Sequence, residues 1–241
     1  INYASCHDNL TVFDRLAVSR PDASGENLVR MNNLAAAIYM TSEGVPFIMA
    51  GEELLRSKPN GDGTFNNNSY SSGDGINAIR WSDLEEEQYA AVNAYYKGLI
   101  AFRKAHGALR MDNAQDIEAN VKAVEGLDAN VVAFDIQGGA NGETAKELFV
   151  IFNPNEGETS VSLPAGNWDV YINGEKAGTE VLATLSGSVT VAPISAMVLV
   201  RGGAGGLSTG AKVLIVIVAL AALMGVIVVV SGKAKKRTVK G

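Results

Sequence analysis

Near the start of the chain, Ser5-Cys6-His7-Asp8-Asn9 sets an imidazole beside a carboxylate. An adjacent His and Asp could act as a proton-handling dyad. They could equally be an Asn/Asp turn whose side chains cap local backbone, and the two residues alone leave both readings open. The only other histidine is His106, and Cys6 is the single cysteine. A lone thiol excludes an internal disulfide framework and a cysteine metal site. With so few histidines to activate it, Cys6 reads as a small buried residue rather than a nucleophile.

Three elements must position this pair. Ile1-Asn2-Tyr3-Ala4 reads as a short buried strand, and residues 27 to 42 place Leu28, Met31, Leu34, Ala35 and Ile38 at helical spacing. Capping candidates lie at Ser24 to Asn27, and Gly44 stands where a C-cap would. The apolar run Val45 to Ala50 suits a parallel strand buried on both faces. Strand, helix, strand is one βαβ unit, and both strands run into polar loops at the end where α/β folds bind ligands. The Gly/Asn/Ser-rich loop from Pro59 to Asn77 follows, carrying Phe65 and Tyr70. A loop of that length is either functional or disordered. Ser82-Asp83-Leu84-Glu85 has the capping-box pattern and predicts a helix over 85 to 104.

Beyond Met111 the periodicity changes. Short runs at 121–124, 131–136, 148–152, 159–163, 168–172, 188–191 and 196–200, divided by turn signals such as Asn153-Pro154-Asn155 and Asn173-Gly174, predict a β-sandwich. Residues 202 to 211 read as a Gly-rich linker.

The 241 residues leave ample chain for a core, and 47% are hydrophobic. Residues 213 to 230 hold no charged or polar side chain, with Lys212 before them and Lys233, Lys235, Lys236, Arg237 and Lys240 after. A bilayer core needs about 20 apolar helical residues, and basic residues favour the cytoplasmic side. The expectation is one transmembrane helix at 212–232 and a basic cytoplasmic tail at 233–241. The bulk would then lie outside, on a bacterial cell surface. Upstream of Lys212 stand 14 basic and 26 acidic residues, a net of −12. That balance excludes nucleic acid as a partner, because phosphate neutralisation needs excess Lys and Arg. With neither an initiator Met nor a signal peptide, a fragment is expected.

The ordered motifs of residues 1 to 110 carry a resemblance. Ile1 to Asn9 resembles the fourth conserved region of the α-amylase superfamily, glycoside hydrolase family 13, in which His-Asp-Asn closes the seventh strand of a (β/α)8 barrel. Arg30-Met-Asn-Asn-Leu34 and the stretch Glu43 to Lys58 look like the following helix and eighth strand. Asn68-Ser-Tyr-Ser-Ser-Gly-Asp-Gly-Ile-Asn-Ala-Ile-Arg-Trp81 is most similar to type I pullulanases, the starch-debranching members.

The resemblance implies an α/β segment followed by all-β: the C-terminal part of a (β/α)8 barrel at 1–110, a β-sandwich at 111–201, then the transmembrane helix. It implies retaining hydrolysis of α-1,6-glucosidic bonds in pullulan, amylopectin or limit dextrins. Asp8 would be the transition-state stabiliser, and His7, Asn9, Arg56, Asn68 and Tyr70 would bind substrate, an α-glucan. The nucleophile Asp and acid Glu of the family have no counterpart in the chain, so alone it is expected to be inactive. No cofactor or metal ligand set is expected here. Calcium is allowed for in the full-length enzyme, with Asp62 and Asp74 the candidate loop. Two alternatives stay open: an α-1,4-acting amylase or neopullulanase, and a non-catalytic glycan-binding surface protein.

Overall fold

Thr11 ends an extended segment and starts the first helix, α1 (Val12–Ser19), by accepting the Asp14 amide on its hydroxyl at 3.1 Å. Ser24 does the same for α2 (Gly25–Thr41) through the Asn27 amide at 3.2 Å. Ser82 to Glu85 do not cap a helix. Residues Trp81–Glu85 form a separate 3-10 turn, and α4 (Glu87–Ala105) begins after it without a side-chain cap. Before that turn, and after α2, lies α3 (Asp74–Asn77), a single turn. Asn113 caps α5 (Ala114–Asn120) by accepting the Asp116 amide at 2.8 Å.

The computed structural model describes residues 1–203, which lie in one compact unit. Eight strands follow α5: β1 (Val121–Ala123), β2 (Val132–Gln137), β3 (Glu147–Asn153), β4 (Thr159–Ser162), β5 (Trp168–Ile172), β6 (Ala183–Leu185), β7 (Ser188–Val191) and β8 (Ser195–Arg201). Six form an antiparallel sheet in the order β1-β2-β3-β8-β5-β6, and β4 pairs with β7 in a second sheet.

Residues of the two central strands divide between two cores, because successive side chains point to opposite faces. Leu148, Val150 and Phe152 of β3 and Ala196, Val198 and Val200 of β8 join Ala36, Ala37 and Met40 of α2 and Tyr95, Leu99 and Phe102 of α4. Phe149, Ile151, Met197 and Leu199 pack instead with Val161, Val189 and Val191 of the small sheet. Gly98 permits close approach on the helix side, since a Cβ there would lie 2.0 Å from the Ala177 carbonyl oxygen.

This arrangement corrects the expected fold class. The described residues form a mixed α/β unit of one principal sheet and a few helices, without a (β/α)8 barrel segment. Residues 1 to 50 make no strand-helix-strand unit: Asn2 and Pro46 meet in one isolated parallel bridge. Proline has no N–H to extend such a ladder. Ile1, Val45 and Phe47 are 86%, 64% and 44% exposed, which is not the double burial a parallel strand requires. The two sheets do pack face to face, but they are unequal, six strands against two, and α2 and α4 cover the other face of the principal sheet, so the expected free-standing sandwich is not formed.

Among the described residues no helix is long and apolar enough to cross a membrane. The longest, α4, has 19 residues but carries Glu87, Lys97, Arg103 and Lys104. The membrane partner and the single-pass placement with extracellular bulk and cytoplasmic tail, expected from a transmembrane segment at 212–232, find no support among the described residues. That segment and the tail lie outside the described residues.

A buried histidine–carboxylate contact closes the seam between α4 and the main sheet. His106 Nδ1 lies 3.2 Å from Glu143 Oε2, and the amides of Ala145 and Ala108 donate to the same carboxylate at 2.8 and 3.2 Å. Burial alone would raise the Glu143 carboxyl, but His106 and the two amides outweigh it and hold the pKa at about 2, from an ordinary 4.5. A depressed carboxylate stabilises the fold fully above its unfolded pKa, and that stability is lost as pH falls from about 4.5 towards 2. Its size is on the order of 3 kcal/mol. Glu143→Gln should therefore unfold at lower urea than wild type at pH 7, and the gap should narrow as pH drops below 4. A gap independent of pH would contradict this account.

Candidate functional site

The segment holding His7 and Asp8 rests on a buried carboxylate. Glu52, 2% exposed, accepts the Ser5 hydroxyl at 2.6 Å, the Tyr39 hydroxyl at 2.9 Å and the Met49 amide at 3.3 Å. Burial raises its pKa, and the three donors oppose that shift. Tyr39 is itself pushed far up, by burial first and then by neighbouring Tyr96 and Glu52. Above this foundation His7 Nε2 lies 3.4 Å from Asp8 Oδ2, with side chains 88% and 72% exposed. Both project outward, able to meet a ligand from solution. Asn9 follows with φ 64°, a left-handed conformation that asparagine tolerates.

Two further charged groups hold the neighbouring segments. Asp14 is wholly buried and accepts the Ser57 hydroxyl at 2.5 Å and the Lys58 amide at 2.8 Å. Lys58, 1% exposed, sends its Nζ to the Asn9 carbonyl at 3.2 Å and to the Ser69 hydroxyl at 3.1 Å. One ammonium thereby brings the His7 to Asn9 loop beside the Asn68 to Tyr70 loop. Burial lowers the Lys58 pKa, as does neighbouring Arg56, while Asp14 and Asp8 oppose the change. Arg56 donates to the carbonyls of Ala50 at 3.2 Å and Asn77 at 2.5 Å, and Asn77 in turn donates to the carbonyls of Ser69 and Ser72.

Of the residues singled out from sequence, His7, Asp8 and Asn9 form one exposed turn. Arg56 sits on the segment that ties this turn to the second loop. Asn68 and Tyr70 flank Ser69 there, and Tyr70 is 87% exposed. Their side chains make no hydrogen bond among the described residues. Sequence reasoning reads Glu52 with Glu53 as a structural or rim feature, which its buried hydrogen bonds fit, but misses Asp14 and Lys58 as supports. Asp14 lies in an unforeseen helix, while Lys58 directly precedes Pro59 in a stretch already singled out.

Lys58→Met removes both Nζ hydrogen bonds at nearly unchanged length. Amide exchange across residues 5 to 9 and 69 to 72 is expected to accelerate by about tenfold, the scale of one or two buried hydrogen bonds. Hydrogen-exchange mass spectrometry reads this directly, and unchanged protection would show that the loops are held by other contacts.

No three His, Cys, Asp or Glu side chains gather as a metal site among the described residues. Asp62 spends Oδ1 on the Thr64 amide at 2.9 Å and hydroxyl at 2.6 Å.

Together these residues make a hydrogen-bonding turn held by buried charges beside an exposed tyrosine. The family model for the pullulanase all-beta domain matches residues 117–176. The pullulanase of Bacillus subtilis is 31% identical over 164 residues, covering 68% of this chain and 22% of that protein. The chloroplastic pullulanase 1 of Arabidopsis thaliana is 41% identical over 83 residues, 34% of this chain and 8% of that one. The solved pullulanase from Bacillus acidopullulyticus superposes with a TM-score of 0.77 at 36% identity, covering 83% of this chain and 24% of that one. By these likenesses the chain belongs to the pullulanases of glycoside hydrolase family 13. It spans about a fifth of the length of the first of these relatives.

Proposed function

We propose that this chain is part of a starch-debranching pullulanase that cleaves α-1,6-glucosidic bonds in pullulan, amylopectin or limit dextrins with retention. Within it the chain supplies one wall of the α-glucan site. The observation that carries this reading is the Lys58 bridge, which sets the His7-Asp8-Asn9 turn against the loop bearing Asn68 and Tyr70. A solved pullulanase from Paenibacillus barengoltzii, 36% identical with a TM-score of 0.73, was crystallised with maltohexaose and α-cyclodextrin, which supports an α-glucan ligand.

In this reading Asp8 accepts hydrogen bonds from ring hydroxyls that tighten as the sugar flattens towards an oxocarbenium ion. His7 binds an adjacent hydroxyl, Tyr70 offers a face for the ring, and Asn9, Arg56 and Asn68 complete the polar wall. Retaining hydrolysis needs a nucleophile and a proton donor about 5 to 5.5 Å apart across the bond. Glu52 is unsuited to either role, since its oxygens are committed to Ser5, Tyr39 and Met49. In this reading the chain alone binds without cutting.

The test is calorimetric titration of the 241-residue chain with maltotriose, together with a reducing-sugar assay on pullulan. Saturable binding without hydrolysis is expected. Absence of binding would sink the sugar-wall reading, and release of maltotriose would show that the chain carries its own nucleophile and acid.

A further inference from the structure

We propose that Glu52 is a positioning residue for the His7-Asp8-Asn9 turn, acting through the Ser5 hydroxyl to fix His7 and Asp8 where a sugar ring meets them. The inference rests on the sugar-wall reading. His7 and Asp8 are exposed and pair with each other at 3.4 Å, so what orients them must act through the backbone on either side. Upstream, Ser5 is 4% exposed and its hydroxyl donates to Glu52 Oε1 at 2.6 Å. Downstream, Lys58 Nζ donates to the Asn9 carbonyl at 3.2 Å. The turn is thus clamped at both ends, by a buried anion at Ser5 and a buried cation at Asn9.

Glu52 does this as a carboxylate. Its two oxygens accept the Ser5 and Tyr39 hydroxyls and the Met49 amide, and a neutral acid would have to turn one donor round to take its own proton. The 2.6 Å separation from Ser5 is the length of a hydroxyl donating to an ionised oxygen. The other acceptor near that hydroxyl, the Met49 sulfur at 3.8 Å, is a weak one. Bonds to an ionised acceptor are roughly twice as strong as neutral ones, so the charge on Glu52, more than its shape, holds Ser5.

The isosteric amide removes that charge without opening a cavity. Behind Glu52 the Tyr39 hydroxyl meets that of Tyr96, which accepts the Asn32 side-chain amide at 3.1 Å, and Asn32 Oδ1 is buried with no partner. In Glu52→Gln the new amide can donate to Tyr39, Tyr39 to Tyr96, and Tyr96 to Asn32 Oδ1 once the Asn32 amide turns over. Each hydroxyl of the chain keeps a donor and an acceptor. The variant therefore folds, and only the hold on Ser5 weakens.

The test combines histidine NMR of the sugar-free 241-residue chain with calorimetric titration of maltotriose, in Glu52→Gln, Ser5→Ala, Ser5→Thr and the double variant Glu52→Gln/Ser5→Ala. Glu52→Gln and Ser5→Ala should each shift the His7 Cε1–H signal and leave that of His106 in place. Each should weaken maltotriose by about tenfold, the scale of one charge-assisted hydrogen bond. Because both remove the same contact, the double variant should lose no more than the larger single loss. Ser5→Thr keeps the hydroxyl and should recover most of the affinity. An unmoved His7 signal in both single variants, or losses that multiply in the double variant, would overturn the proposal. Ser5→Ala removes a single oxygen and carries the test unaided should Glu52→Gln unfold. A wild-type chain that fails to bind maltotriose, while the His7 signal still moves in Glu52→Gln, would count against the sugar wall and not against the hold on the turn.

Discussion

Asp8→Asn, introduced into an active pullulanase carrying this segment, is expected to lower kcat by about 100- to 1,000-fold, the scale of removing one preorganised transition-state contact. KM should change much less. The split follows from where the carboxylate acts: hydrogen bonds that tighten only as charge develops on the sugar contribute to kcat rather than to ground-state binding. The Asp8 side chain is 72% exposed and its polar contact is with the equally exposed His7, so folding should be little affected. Steady-state kinetics on pullulan with a denaturation control reads both quantities. An unchanged kcat would leave the His7-Asp8-Asn9 segment as a turn and nothing more.

Trp168→Ala is expected to cost about 3 to 5 kcal/mol of stability, the range for removing a buried tryptophan. In a unit of about 200 residues that lowers Tm by roughly 10 °C. Trp168 is fully buried between the two sheets, meets Phe149 edge-on at 5.7 Å and donates its indole N–H to the Pro164 carbonyl at 2.9 Å. The Arg201 guanidinium stands 5.2 Å from its ring and pairs with Glu147. Truncation opens a cavity and leaves that guanidinium without its aromatic partner. Trp168→Phe keeps most of the volume and should recover more than half of the loss in thermal unfolding. A melting temperature within a degree or two of wild type for Trp168→Ala would show that the small sheet does not depend on this anchor.

Local patterns in the sequence were strong where the signal is local. The caps at Ser24, the helical spacing around Leu34 and the alternating runs from Val121 to Val200 each report on a few neighbouring residues, and the backbone follows them. Val45 to Ala50 shows the opposite case. An apolar run has the same composition whether it becomes a buried parallel strand or an exposed segment joined by a single bridge, and only the presence of neighbours on both sides distinguishes the two. Likewise Ser82 to Glu85 has a capping pattern, yet the chain spends those residues on a separate turn before α4.

The site divides along the same line. His7, Asp8, Asn9, Arg56, Asn68 and Tyr70 could be singled out from residue type and order, because the family likeness is written in short motifs. What joins them could not. Asp14 and Lys58 are charged residues, which in a sequence read as solvent-exposed, and their burial follows from hydrogen bonds to residues up to 49 positions away. By itself, then, the sequence determined the family, the two long helices, seven of the strands after Met111 and the identity of the candidate sugar contacts. The tertiary structure alone decided that α2 and α4 cover one face of an antiparallel sheet and that one buried lysine joins two loops into a site. Both depend on which distant groups meet, and pairing between distant residues leaves no pattern in any short stretch of chain.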